Sequence, residues 1–155
     1  MTNRIRVLAA ATFAIIGVGA TATIAQDLPA PVQARQGQFQ IMALNVGILG
    51  GMARGNAEYD ATAAQTAADN LVAISMLDQS FHWPEGTDNM ALDGTRALPA
   101  IWENLPDVVE KWGAFGAAAE GLAAVAGTGL EPMQAALGPL GATCGSCHDA
   151  YRAPQ

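Results

Sequence analysis

Cysteine is scarce in this chain of 155 residues: there are two, three positions apart and close to the C-terminus. That excludes a disulfide-stapled scaffold, which needs several pairs. Lysine and arginine together number 7 against 14 acidic residues. A chain this acidic offers no basic surface to nucleic acid. The acidic residues are scattered, as on a solvated surface that keeps a protein soluble. Beyond residue 25, valine, isoleucine and threonine are spread thinly, and no period-two alternation of apolar and polar residues stands out. That argues against a sheet. No internal repeat is present. Alanine, the strongest helix former, dominates instead and points to an all-α fold.

Residues 1–25 read as a secretory signal peptide. Arg4 and Arg6 form a positive start, and Val7 to about Ala22 is an apolar run. The run is shorter than the ~20 residues a membrane span needs, which separates a cleaved signal from a retained anchor. Small residues at Thr23 and Ala25 suit cleavage before Gln26. Residues 26–155 then form one domain of ordinary size, with no membrane span in the mature chain. Removing Arg4 and Arg6 takes the formal charge from −7 to −9.

The two cysteines belong to Cys144-Gly145-Ser146-Cys147-His148. C-x-x-C-H is the attachment signature of a c-type haem. Two thiols add to the two vinyl groups along one porphyrin edge, and the next residue presents an imidazole to the iron. On a helix, positions three and four apart share a face, so all three side chains point the same way. Two other uses of C-x-x-C remain: a thioredoxin-like redox pair, which wants a βαβ context, and half a zinc site, which wants two more ligands. The other histidine, His82, is over sixty residues away. Haem attachment consumes both thiols, so no disulfide is expected. In c-type cytochromes it takes place outside the cytoplasm, which agrees with the signal peptide and predicts a periplasmic location.

Four helical segments follow from the apolar spacing. The first covers residues 31–54, with Arg35, Phe39, Met42, Val46 and Leu49 on one stripe. Its Gly37, Gly47, Gly50 and Gly51 suggest close approach of a neighbouring helix or of the haem. Asp60 is the candidate N-cap of the second, at 60–79. Residues 81–99 hold Pro84, Gly86, Asp93-Gly94 and Pro99, all turn chemistry. This long connection predicts a crossover along the bundle and its loosest segment. The third helix runs from about Pro106 to Ala126, with Val108, Trp112, Phe115, Ala119 and Leu122 on its stripe. The fourth starts near Pro132 and carries the haem motif. Pro139 sits inside it and predicts a kink or a restart.

Several short stretches match one family. Arg35-Gln36-Gly37 opens the first helix and Gly51-Met52-Ala53 comes near its end. Trp83-Pro84-Glu85-Gly86-Thr87 fits a Phe-Pro-x-Gly-Thr element, with Trp83 departing from it. The stretch from Thr95 to Trp102 precedes the third helix, and the one from Cys144 to Arg152 closes the chain. Over residues 31–153 the sequence therefore resembles the cytochrome c′ family, the class II c-type cytochromes. The resemblance implies an antiparallel up-down four-helix bundle with one covalent haem c on the C-terminal helix. Cys144 and Cys147 would carry the haem, with His148 as axial ligand and Arg152 on the proximal side. Arg35, Gln36, Thr95 and Arg96 would contact a propionate or the haem edge, with Trp102 packed nearby. Family members often dimerise through the first two helices, and a homodimer is expected here.

Functionally the resemblance implies a periplasmic haem protein serving electron transport, the binding of small gases such as nitric oxide and carbon monoxide, or both. It leaves the redox partner open. Low-spin relatives place a methionine four residues after the matching arginine. Here that position is Phe39, which has no lone pair to give, so the expectation is a five-coordinate, high-spin iron. The alternative is a six-coordinate electron carrier with Met42 as distal ligand. The other methionines read as core filler, and His82 as a packed loop side chain rather than a sixth ligand. Catalysis is not expected, since the stripe around Phe39 carries no acid–base group.

Overall fold

The computed structural model describes residues 28–154; the expected signal peptide lies outside them. Five helices follow in order: α1 Ala30–Ala53, α2 Ala61–Ser75, α3 Ala100–Glu103, α4 Leu105–Ala123 and α5 Leu130–Tyr151. Four are long, and α3 is a single turn that the apolar spacing was too short to reveal. Local chemistry sets their starts. The Asp60 carboxylate accepts from Ala63 N at 2.9 Å and caps α2. Pro106 and Asp107 occupy the first turn of α4, where a missing N–H costs nothing and a negative charge suits the helix dipole.

Neighbouring helices run antiparallel. Trp112 Nε1, near the start of α4, donates to Ser75 O at the end of α2 (3.0 Å), and Gln65 Nε2 of α2 donates to Ala123 O at the end of α4 (2.9 Å). Gln134 Nε2 at the start of α5 reaches Ala53 O at the end of α1 (2.6 Å). With α1 packed on α2, α2 on α4, and α4 on α5, the result is an up-down four-helix bundle. Leu49, Leu71, Leu122, Met133 and Leu140 fill its axis, and Ala64, Ala67, Ala68, Ala119 and Ala126 let the helices close in. Gly127 is needed where α4 ends: a Cβ there would stand 2.9 Å from Gln65 Oε1. Gly37 and Gly47 are different. A Cβ on either meets nothing within 4 Å, so the close approach expected of them does not occur within the chain.

Two further expectations are corrected. The long connection is not a crossover. The end of α2 and the start of α4 lie at the same end of the bundle, because the two helices are antiparallel, so residues 76–99 fold over that end as a cap. Within the cap Asn89 N donates to Ala97 O at 2.8 Å, and α1 side chains reach into it. Pro139 causes no restart either. α5 is continuous through it, held between the fully buried Met133 and Leu140, so the loss of one backbone hydrogen bond does not break the helix.

The Asp60 cap gives a direct test of this local reading. Asp60→Ala should lower stability by about 1 kcal/mol, read as an earlier chemical-denaturation midpoint with an unchanged slope. No change in midpoint would mean that the cap contributes nothing.

Candidate functional site

At the capped end the helices part around a cavity of about 1000 Å³, walled by α1, α4, α5 and the 76–99 cap. Cys144, Cys147 and His148 line it from α5, all half-buried. Their spacing of three and four residues stacks them on one face of an unbroken helix. Burial pushes the Cys147 thiol up from its ordinary range, with Lys111 partly opposing. Burial also holds His148 below the usual imidazole value, and the charges of Arg152 and Arg96 add to this. Both effects leave a neutral imidazole with a free lone pair at neutral pH.

The end of α5 is strapped down. Ala97 and Arg152 form an isolated antiparallel bridge. Leu98 N donates to Tyr151 O (3.0 Å), Ala153 N donates to Arg96 O (2.8 Å), and Arg96 donates through Nε (2.8 Å) and Nη2 to Ala153 O. Tyr151, buried on the cavity wall, donates its hydroxyl to Asp107 Oδ2, and Lys111 lies 3.7 Å from the same oxygen.

Opposite, α1 supplies Arg35, which is only 2% exposed. Its guanidinium donates to Thr87 Oγ1 (2.8 Å), Thr95 Oγ1 (2.9 Å), His82 O (3.3 Å) and Thr87 O. It also lies 4.8 Å from the Trp83 ring centroid and 6.0 Å from that of Trp102. No carboxylate of the described residues pairs with it. Next to it, Gln36 donates to Gly94 O at 2.7 Å.

One turn on, Phe39 sits between two indoles. Its ring meets Trp83 and Trp112 edge-on, each at 6.4 Å between centroids. Trp112 packs on Phe115 at 5.3 Å, and Trp83 on Trp102 at 6.2 Å. The chain has three tryptophans in all, and every one joins this cluster. Charge is gathered as tightly. Of the five cations after residue 25, four line the cavity: Arg35, Arg96, Lys111 and Arg152. Asp78 is the one carboxylate on its wall.

The cavity therefore brings together Cys144, Cys147, His148, Arg35, Gln36, Phe39, Thr95, Arg96 and Arg152. Met42 lines it too. Trp102 does not. α3 turns Ile101 toward the cavity, while the Trp102 indole stands behind Trp83 and donates to Trp83 O at 3.0 Å. His82 stays off the wall, and its Nδ1 is buried without a partner. Sequence reasoning gave Trp112 a place on a core stripe only and missed Lys111 altogether. The signal for Trp112 was its position within that stripe, at the edge facing α1.

The residues fit a covalent haem. Two free thiols and an imidazole share one wall, and apolar side chains dominate the lining. A buried cation without a carboxylate stands at the polar end, where a propionate would pair with it. Among the described residues no group of three His, Cys, Asp or Glu side chains is placed to hold a metal ion, so the zinc reading lacks its further ligands.

Comparison with known proteins agrees. The family model of cytochrome c′ matches residues 30–152. A cytochrome c′ of Cereibacter sphaeroides is 39% identical over 147 residues, covering 95% of this chain and 97% of the relative. A solved cytochrome c′ from Rhodobacter spheriodes superposes with a TM-score of 0.78 at 39% identity, over 81% of this chain and 96% of its own. A ferrous variant of cytochrome c prime from Alcaligenes xylosoxidans with bound NO superposes at 0.69 with 32% identity, over 81% and 94%.

The Tyr151–Asp107 pair can be tested alone. Its hydrogen bond, then burial and the Asp107 charge, raise the Tyr151 pKa above the usual phenol value. A raised folded pKa stabilises the fold below the unfolded value, and that contribution is lost as pH rises through the folded one. Ultraviolet titration should show one tyrosine ionising late, and Asp107→Asn should bring it forward. An unshifted titration in that variant would remove the pairing.

Proposed function

The chain belongs to the cytochrome c′ family, and from that premise we propose that it is a periplasmic haem protein with a five-coordinate, high-spin iron. The open iron face takes a small diatomic gas such as nitric oxide or carbon monoxide, and the iron also cycles by one electron. The observation that carries this reading is Phe39. The residue one turn past Arg35 on the cavity wall has no atom able to ligate iron, and its ring is held in place by two indoles. The NO-bound relative supports the choice of ligand. The signal peptide read at residues 1–25 supports export, and no helix among the described residues is long and apolar enough to cross a membrane.

The chain's residues divide the work. Cys144 and Cys147 would supply the thioether sulfurs, and His148, whose surroundings favour the neutral imidazole, would supply a nitrogen lone pair to the iron. When bound, a haem contributes an iron that can gain or lose one electron and hold one diatomic ligand. Arg35 and Arg96 would neutralise its carboxylates, at a polar end that Gln36 and Thr95 complete. Phe39, with the apolar wall around Trp112 and Phe115, excludes water from the distal face and offers no hydrogen-bond donor or proton. Ligands that need such a donor are disfavoured there, and acid–base catalysis has no group to run on. Arg152 adds positive charge beside His148.

A second reading rests on Met42, which lines the same cavity from the next turn of α1 and is 9% exposed. If its sulfur reaches the iron, the protein is a low-spin carrier without an open site. The recombinant protein, expressed with its own leader, separates the two. Intact mass should show the loss of about 25 N-terminal residues and the gain of one haem that acidified organic solvent does not extract. Absorption and paramagnetic resonance should be high-spin in both oxidation states. A low-spin spectrum that becomes high-spin in Met42→Ala would establish the carrier instead.

A homodimer through α1 and α2 belongs to the same proposal. Ile41, Leu44 and Ile48 form an exposed apolar stripe on α1, at 52%, 64% and 39% exposure. Gly37 and Gly47 on the same helix leave open space where a second backbone can approach. Sedimentation at micromolar concentration should give a dimer that Leu44→Glu converts to monomer. A wild-type monomer at every concentration would remove it.

A further inference from the structure

Phe39 does not stand alone on the distal wall. Its ring is gripped from two sides by residues of different elements, Trp83 in the 76–99 cap and Trp112 in α4. Each gripping indole is itself fixed. Trp112 donates to Ser75 O at 3.0 Å and packs on Phe115. Trp83 lies under the Arg35 guanidinium at 4.8 Å and against Trp102, whose indole N–H donates to the Trp83 carbonyl at 3.0 Å. The edge-on geometry matters, because such a pair holds a direction as well as a distance. A ligand that enters the distal side must swing the phenyl ring out, and both edge contacts must break for it to move.

We propose that Trp83 and Trp112 are positioning residues for Phe39, and that they, more than the phenyl volume, set how fast a diatomic ligand reaches the iron. The inference rests on the open-iron reading above and adds residues that act through Phe39 without touching the ligand. Trp83 is the more telling of the two. It departs from the phenylalanine of the Phe-Pro-x-Gly-Thr element, and its larger ring spans from the guanidinium of Arg35 to the edge of Phe39. Arg35 and Phe39 lie four residues apart on one face of α1, so one indole covers both. The distal barrier is thereby joined to the polar end of the cavity.

The test is the association rate of carbon monoxide with the ferrous holoprotein after flash photolysis. Trp83→Leu and Trp112→Phe are each made alone and in a Phe39→Ala background. With Phe39 present, Trp83→Leu should speed association roughly two- to tenfold, the factor that loss of one edge-to-face pair supports. With Phe39 removed, the same change should alter the rate less than about twofold. The thermal midpoints of Phe39→Leu, Trp83→Leu and the double variant should be non-additive, a readout independent of the ligand. An equal acceleration with and without Phe39, or shifted midpoints with an unchanged rate, would overturn the proposal. Should Trp83→Leu fail to fold, Trp83→Phe puts a smaller ring in the same contact, loosens it and carries the test. The unliganded ferrous spectrum reports separately on the open iron. A low-spin spectrum with the coupling intact sinks that reading and leaves the grip on Phe39 standing. A high-spin spectrum without coupling sinks the grip alone.

Discussion

The burial of one guanidinium governs the working end of this molecule. Removing a charge from water costs several kcal/mol even after relaxation, and Arg35 is almost wholly removed. The compensation comes from the 76–99 cap, with two threonine hydroxyls, two backbone carbonyls and the Trp83 indole, and from α3, with the Trp102 indole. A segment without regular structure is thereby held on α1. The same bonds place Trp83 over α1 and bring it against Phe39. The polar end of the cavity and its apolar wall are thus two consequences of solvating one cation without water.

The bundle is built asymmetrically around this. At the far end, alanines and Gly127 let the helices touch, and side chains tie one helix to the next, as Gln65 ties α2 to Ala123 and Gln134 ties α5 to Ala53. At the near end, Arg35 and the aromatic cluster join α1 to the 76–99 cap and to α4. The cavity beside them is lined mostly by apolar side chains, with Arg35, Arg96, Lys111 and Arg152 among them, and Cys144 and Cys147 place two thiols on its wall.

Much of this was legible in the sequence where the signal is local. The C-x-x-C-H spacing fixes the face of a helix within two turns, and the Asp60 cap and the four apolar stripes are equally short-range. What could not be read depends on contacts between distant residues. Phe39 meets Trp83 and Trp112 across long separations, and no periodicity announces a partner of that kind. The direction of the 76–99 segment is decided by the antiparallel pairing of α2 with α4, not by its own turn residues. Trp102 faces away from the cavity because a single turn of helix after Pro99 sets its direction. Pro139 read as a kink or a restart because the local clash is plain, whereas the packing of Met133 and Leu140 that carries the helix past it without a restart is tertiary.

The strap beneath His148 answers a weakness that the sequence creates. His148 stands in the last turn of α5, and the last turn of a helix frays unless its free backbone groups are tied. Four backbone carbonyls at that end lack intrahelical partners. One of them, Tyr151 O, accepts from Leu98 N, and just beyond the helix Ala153 O accepts from two donors of Arg96. The Tyr151 hydroxyl adds a lateral tie to Asp107 on α4. Arg96 thus has a mechanical part beside its electrostatic one. By anchoring Ala153 it fixes the turn on which His148 and Arg152 both sit, so the direction of the imidazole and the placing of the positive charge beside it depend on the same bonds. The turn that carries His148 is tied because the cap that Arg35 recruits continues, a few residues later, into the strap.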